Sequence, residues 1–184
     1  MLRILCNIFI AVMAVGAVLA HGRKSPLPKV LRYFTAQSNV LCALACLCTA
    51  IMFLGGYSWV PVLVFKFVGT VALMVTMLTV FIFLGPQFGY KVLLTGPDLW
   101  LHLVCPVLAL ASWFGWERCS IPPTTALLGV LPVLLYGALY LRKVVFLGAW
   151  EDFYGFNRGG RWRVSFLVMA LATTLLSLGL AALS

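Results

Sequence analysis

Trp59-Val60-Pro61-Val62-Leu63-Val64-Phe65-Lys66-Phe67-Val68-Gly69-Thr70-Val71-Ala72-Leu73-Met74-Val75-Thr76-Met77-Leu78-Thr79-Val80-Phe81-Ile82-Phe83-Leu84 is an apolar run interrupted by a single charge. About 20 helical residues cross the ~30 Å hydrocarbon core of a bilayer, so this stretch spans it with length left for tilt. A barrel strand would be about half as long and would alternate in polarity. This is the third and longest of six such runs. The others are Leu2–Ala20, Phe34–Leu54, Leu99–Trp116, Pro123–Leu141 and Val164–Leu183. Of the 184 residues, 64% are hydrophobic and 9% charged, where a soluble domain carries about 25% charged residues. No polar segment is long enough for a second domain. The expectation is one all-α domain over 1–184, a polytopic membrane bundle of six transmembrane helices.

Arg3, the first apolar run and Val18-Leu19-Ala20 share features with a secretory signal peptide. The run exceeds the usual signal core, and cleavage would leave the basic loop after it on the wrong side, so it is read as an uncleaved helix. Pro61, Pro106 and Pro132 lie within runs and predict kinks whose freed carbonyls find partners on neighbouring helices. Ala43, Ala45, Gly69 and Ala72 read as ordinary membrane-helix composition that also permits close approach.

The net charge of +9 is not spread evenly. Arg23, Lys24, Lys29 and Arg32 fall between runs one and two, and Lys91 between three and four. Arg142, Lys143, Arg158, Arg161 and Arg163 flank or occupy the connection between five and six, whereas Arg3 and Arg118 alone mark the other side. The charges therefore face lipid headgroups rather than nucleic acid. The positive-inside rule puts loops one, three and five in the cytoplasm of a cell (plasma or inner) membrane, with both termini outside. Lys66, a third of the way along its run, is read first as snorkelling to the nearer face, and otherwise as lining a polar cavity.

Five of the six cysteines lie in apolar runs. Cys42 and Cys46 are one helical turn apart, but no histidine or carboxylate near them in sequence completes a soft-metal site. They are read as small packing residues, with no metal and no disulfide expected.

The informative residues are the polar ones inside apolar runs. Thr35, Ser38 and Asn39, with Gln37 between them, open the second run, and Thr35, Ser38 and Asn39 share one helix face. Asp98 and His102 share a face at the start of the fourth. Both runs begin at the same membrane face, and His102 lies about 6 Å deeper than Asp98 at 1.5 Å per residue. A hydroxyl, an imidazole and a carboxylate thus meet at similar depth. The chemistry that fits is Thr35 as nucleophile, His102 as general base, Asp98 orienting the imidazole, and Asn39 or Ser38 donating to an oxyanion. The competing structural readings make Thr35 and Asp98 helix caps and give His102 to a carbonyl freed by Pro106.

Arg32-Tyr33-Phe34-Thr35-x-Gln37-Ser38-Asn39 followed by Asp98-x-x-x-His102-x-x-x-Pro106 resembles a bacterial six-helix membrane family. That family is itself similar to the androgen-induced-gene family of intramembrane hydrolases. The resemblance implies Thr35 as nucleophile, His102 as its base, and a fatty acyl ester of the membrane as substrate, the animal proteins acting on fatty acid esters of hydroxy fatty acids. The polar run after Thr35 and the placing of Pro106 depart from the animal pattern. Related membrane acyltransferases use cysteine, which makes Cys105 a minor alternative nucleophile.

Trp150-Glu151-Asp152-Phe153-Tyr154-Gly155-Phe156-Asn157-Arg158, in the fifth loop, falls on the predicted side of Thr35 and His102. It reads as a lid, with Arg32, Asp152, Tyr154, Asn157 and Arg158 as candidate substrate contacts and Arg158 or Arg161 as receptor for a headgroup or carboxylate. The competing reading is an interfacial aromatic belt. The expectation is therefore a lipid hydrolase or acyl-transfer enzyme needing no cofactor. Its alternatives are a non-catalytic lipid or small-molecule binder or transporter, and a structural subunit whose polar cluster joins helices.

Overall fold

The computed structural model describes residues 1–23 and 25–184; Lys24, one of the loop-one basic residues, lies outside them. Eight helices follow in order: α1 (Leu2–Gly22), α2 (Leu27–Val30), α3 (Phe34–Leu54), α4 (Val60–Phe88), α5 (Tyr90–Leu93), α6 (Pro97–Glu117), α7 (Pro123–Phe146) and α8 (Trp162–Ala182). Six of them, α1, α3, α4, α6, α7 and α8, are long and apolar enough to cross a membrane. Their outward faces are apolar, as at Val12, Ile51, Leu135, Leu167 and Leu171. Water does not tolerate so continuous an apolar surface, whereas lipid does. The chain is an all-α, multi-pass membrane protein.

α3 and α4 form the centre. α4 packs on α3, α6, α7 and α8, and α1 closes against α3 and α6. Gly69 shows how near the central pair comes: a Cβ there would meet Cys42 Cα at 3.0 Å and Ala45 Cβ at 3.4 Å. The small residues thus set the spacing of α3 and α4. Cys42, Cys46 and Cys105 are wholly buried with Ile10, Ala14, Leu73 and Ala109; Cys105 packs as a small hydrophobe, while Cys46 Sγ lies 3.9 Å from Cys42 Sγ and accepts from Lys66.

The prolines act in two ways. Pro61 lies in the first turn of α4, where a missing N–H breaks no helical bond, so the kink expected there is absent. Pro106 has no N–H for the carbonyl of His102, and Trp100–Val104 opens into a π turn in which the Cys105 N–H reaches Trp100 O. Before Pro132, Leu127–Val130 tightens into a 3₁₀ turn. α4 and α7 outrun their expected ends at Leu84 and Leu141, each through a π turn, at Val80–Leu84 and Arg142–Phe146.

Lys66 does not snorkel. It is fully buried, its Nζ 3.3 Å from Glu117 Oε2, donating to Asn7 Oδ1 at 2.7 Å and Ser112 Oγ at 3.3 Å and lying 3.0 Å from Cys46 Sγ. The Glu117 carboxylate accepts from Asn7 Nδ2 and from Ser112 Oγ. A lone ammonium in lipid is costly, and here burial is compensated by a carboxylate and neutral partners from α1 and α6. This knot lies toward the end of the bundle opposite Thr35.

Candidate active site

α3 begins at Phe34, with Tyr33 preceding it in extended conformation, so Thr35 falls inside the first turn and is not the cap. Its backbone is held from below. Asn39 Nδ2 donates to Thr35 O at 2.8 Å and Ser38 Oγ to the same carbonyl at 3.1 Å. Asn39 Nδ2 also donates to Leu101 O at 3.1 Å, and Ser38 Oγ lies 2.8 Å from Thr76 Oγ1. One buried amide therefore ties the carbonyl of Thr35 to the residue beside His102. Neither Ser38 nor Asn39 has a donor left for the oxyanion role expected of them. Gln37 Nε2 donates to Leu31 O at 2.8 Å and steadies the turn before α3.

His102 sits in the π turn of α6 and is 6% exposed. Its Nδ1 lies 2.8 Å from Leu93 O at the end of α5. A carbonyl only accepts, so Nδ1 carries a proton, and in the neutral imidazole the lone pair is on Nε2. The carbonyl is that of Leu93, not the one freed at Pro106. Asp98 does not orient His102. Its Oδ1 pairs with His21 Nε2 at 3.0 Å, fastening the end of α1 to the start of α6, and it is not the cap of α6, which begins at Pro97 after Gly96.

Thr35 and His102 line the same vestibule, in which His21, Lys29, Asp98 and Tyr154 stand among apolar residues such as Leu84, Phe88 and Leu101. No hydrogen bond joins them among the described residues. Thr35 also borders a second, narrow pocket, walled by apolar groups such as Val75, Val133, Phe166, Met169 and Ala170. Thr35 thus borders both spaces, with the Tyr154 phenol beside its hydroxyl.

The fifth loop covers this junction. Asp152 organises it by accepting from the Phe156 and Asn157 amides and from Tyr140 Oη, at 2.9, 2.8 and 2.8 Å. Asp152 and Asn157 thus shape the loop from within. Phe153, Tyr154 and Phe156 stack on Tyr140. Tyr154 Oη accepts from the Phe34 N–H at 3.0 Å, beside Thr35. Burial pushes the Tyr154 phenol up to about 12, with the Phe34 amide and the Tyr136 and Thr35 hydroxyls pulling the other way. It is therefore protonated at neutral pH. Arg32 lies over Trp150, 5.7 Å from the ring centroid, and its carbonyl accepts from Tyr136 Oη at 2.7 Å. Arg158 Nη2 donates to Gln87 Oε1 at 2.7 Å, away from Thr35.

Sequence reading missed His21 as the partner of Asp98, the Leu93 carbonyl behind His102, and Thr76 behind Ser38. Thr76 carried a usable signal, as a hydroxyl within the apolar run. The other two depend on loops folding back. Comparison of the chain with protein-family models, characterised proteins and solved structures gives no match.

Proposed function

We propose that the protein is an intramembrane hydrolase or acyl-transfer enzyme for a fatty acyl ester of the membrane. One observation carries the reading: Thr35 stands where an apolar pocket meets a wider vestibule that also receives His102. The acyl chain lies in the apolar pocket with its carbonyl at Thr35. Thr35 Oγ attacks the carbonyl carbon while its proton passes, through one water, to His102 Nε2. The Tyr154 O–H donates to the oxyanion. The alkoxide leaves with the proton from His102, and water or another acceptor alcohol, activated by the same nitrogen, releases the acyl group from Thr35. Distant kinship with the androgen-induced-gene family and a site near the cytoplasmic face of a plasma or inner membrane belong to the same proposal, the basic loops supporting the latter.

The missing Thr35–His102 hydrogen bond favours a second reading, a non-catalytic lipid or small-molecule binder or transporter that uses the same two chambers. A fluorophosphonate probe separates the two. Purified protein is expected to label at Thr35, with labelling lost in Thr35→Ala and reduced in His102→Gln. Labelling that persists in Thr35→Ala, or none in the wild type, overturns the enzymatic reading.

A further inference from the structure

A third cavity, of about 950 Å³, opens between the basic ends of α4 and α8. Its walls are Phe83 and Gln87 of α4 and Val164, Val168 and Met169 of α8, and its roof is the fifth loop through Tyr154, Gly155, Phe156, Arg158 and Arg161. Tyr154, Phe156 and Met169 also wall the apolar pocket beside Thr35, so these three side chains separate the two spaces. The opening faces the bilayer, because Val164, Leu167 and Val168 are exposed on the apolar outer face of α8.

Two guanidiniums stand at its rim without a carboxylate. Among the described residues Asp98 is taken by His21, Glu117 by Lys66 and Asp152 by its own loop, and Glu151 is exposed and bridges neither guanidinium. Arg158 is also held in place. Gln87 Oε1 accepts from its Nη2 at 2.7 Å, and its side chain lies so close over Gly155 that a Cβ there would meet Nε at 3.0 Å. Gly155 also has φ +69°, which glycine adopts without strain. A planar fork fixed at the mouth of an apolar slot matches an oxyanion carried on a hydrocarbon chain.

We infer that the α4–α8 opening is a lateral portal that holds the anionic head of a single-chain or two-chain amphiphile, carboxylate or phosphate, between Arg158 and Arg161. Its chain runs inward past Met169 toward Thr35. The direction of the chain rests on the reading of Thr35 as the reacting centre; the anion site stands without it.

Photocrosslinking in neutral-lipid nanodiscs tests this. The probes are a diazirine fatty acid, its methyl ester, and a phosphatidic acid bearing the same diazirine chain. At least one anionic probe is expected to label the 164–169 segment of α8 about tenfold more than the ester, the ratio set by one hydrogen bond to a charged group. Preference for the fatty acid assigns a carboxylate head and preference for phosphatidic acid a phosphate head. Excess inorganic phosphate that suppresses labelling by either probe shows that the head alone is recognised. Arg158→Gln with Arg161→Gln brings both anionic probes to the level of the ester, and Thr35→Ala leaves labelling intact. Equal labelling by ester and acids, or labelling unchanged in the double variant with its thermal unfolding unaltered, overturns the portal. Loss of fluorophosphonate reactivity with the portal labelling intact strikes only the catalytic reading.

Discussion

His102 and Asp98 sit one turn apart, yet their environments separate their roles. His102 is buried and lines the vestibule shared with Thr35, while Asp98 is partly exposed and bound to His21. His102→Gln is expected to lower ester turnover by about 10²–10⁴-fold, the range for loss of a general base. Asp98→Asn is expected to change it by no more than about fivefold, on the scale of an exposed ion pair worth up to about 1 kcal/mol. Steady-state turnover of a lipid ester in detergent, compared across the two variants, checks this; an Asp98→Asn defect as deep as that of His102→Gln would return the aspartate to the catalytic group. The spacing of the two residues along the helix was legible in the sequence. The side to which each turns was not, because it depends on the last turn of α1 presenting His21 and on α5 ending at Leu93, contacts spanning 77 and 9 residues.

At the level of helices, Asn39 holds α3 and α6 in register at the site, since its Nδ2 bridges the carbonyls of Thr35 and Leu101. Asn39→Ala is expected to cost about 1–3 kcal/mol, the range for leaving buried partners unsatisfied, and to depress turnover beyond what the lost stability explains. Thr49→Ala is the control, as a buried hydroxyl bonded only within α3, to Ala45 O at 2.8 Å. Thermal unfolding and turnover measured on both variants decide it, and equal activity at equal stability would make Asn39 purely structural. The helices themselves were readable because hydropathy alone reports an apolar run of bilayer length. Their bending was less so: a proline in the first turn is silent, as Pro61 is, whereas Pro106 displaces a bond and opens the π turn that carries His102. The fifth loop was readable as aromatic and charged, but not the fold that brings Tyr154 Oη to the Phe34 amide 120 residues away.

For the whole molecule, the Thr35 end and the far end are held by different forces. Near Thr35 the structure is open and chambered. Around Lys66 it is closed, with the pair Lys66–Glu117 completely buried among Asn7, Cys46 and Ser112. Removing one charge, as in Lys66→Met or Glu117→Leu, is expected to cost about 3–5 kcal/mol, and replacing both together much less, because a lone buried charge is the costly state. Unfolding of the two single variants and the double variant in one detergent provides the cycle; additive losses would show that the ions do not compensate one another. The same pair sets an order to biosynthesis. The ammonium of α4 is made before its counter-ion, which stands 51 positions later at the end of α6. Until that carboxylate arrives, the third span carries a charge that lipid disfavours, so the newborn chain does best to keep its first helices sheltered at the insertion machinery and to release them as a group once Glu117 has joined them.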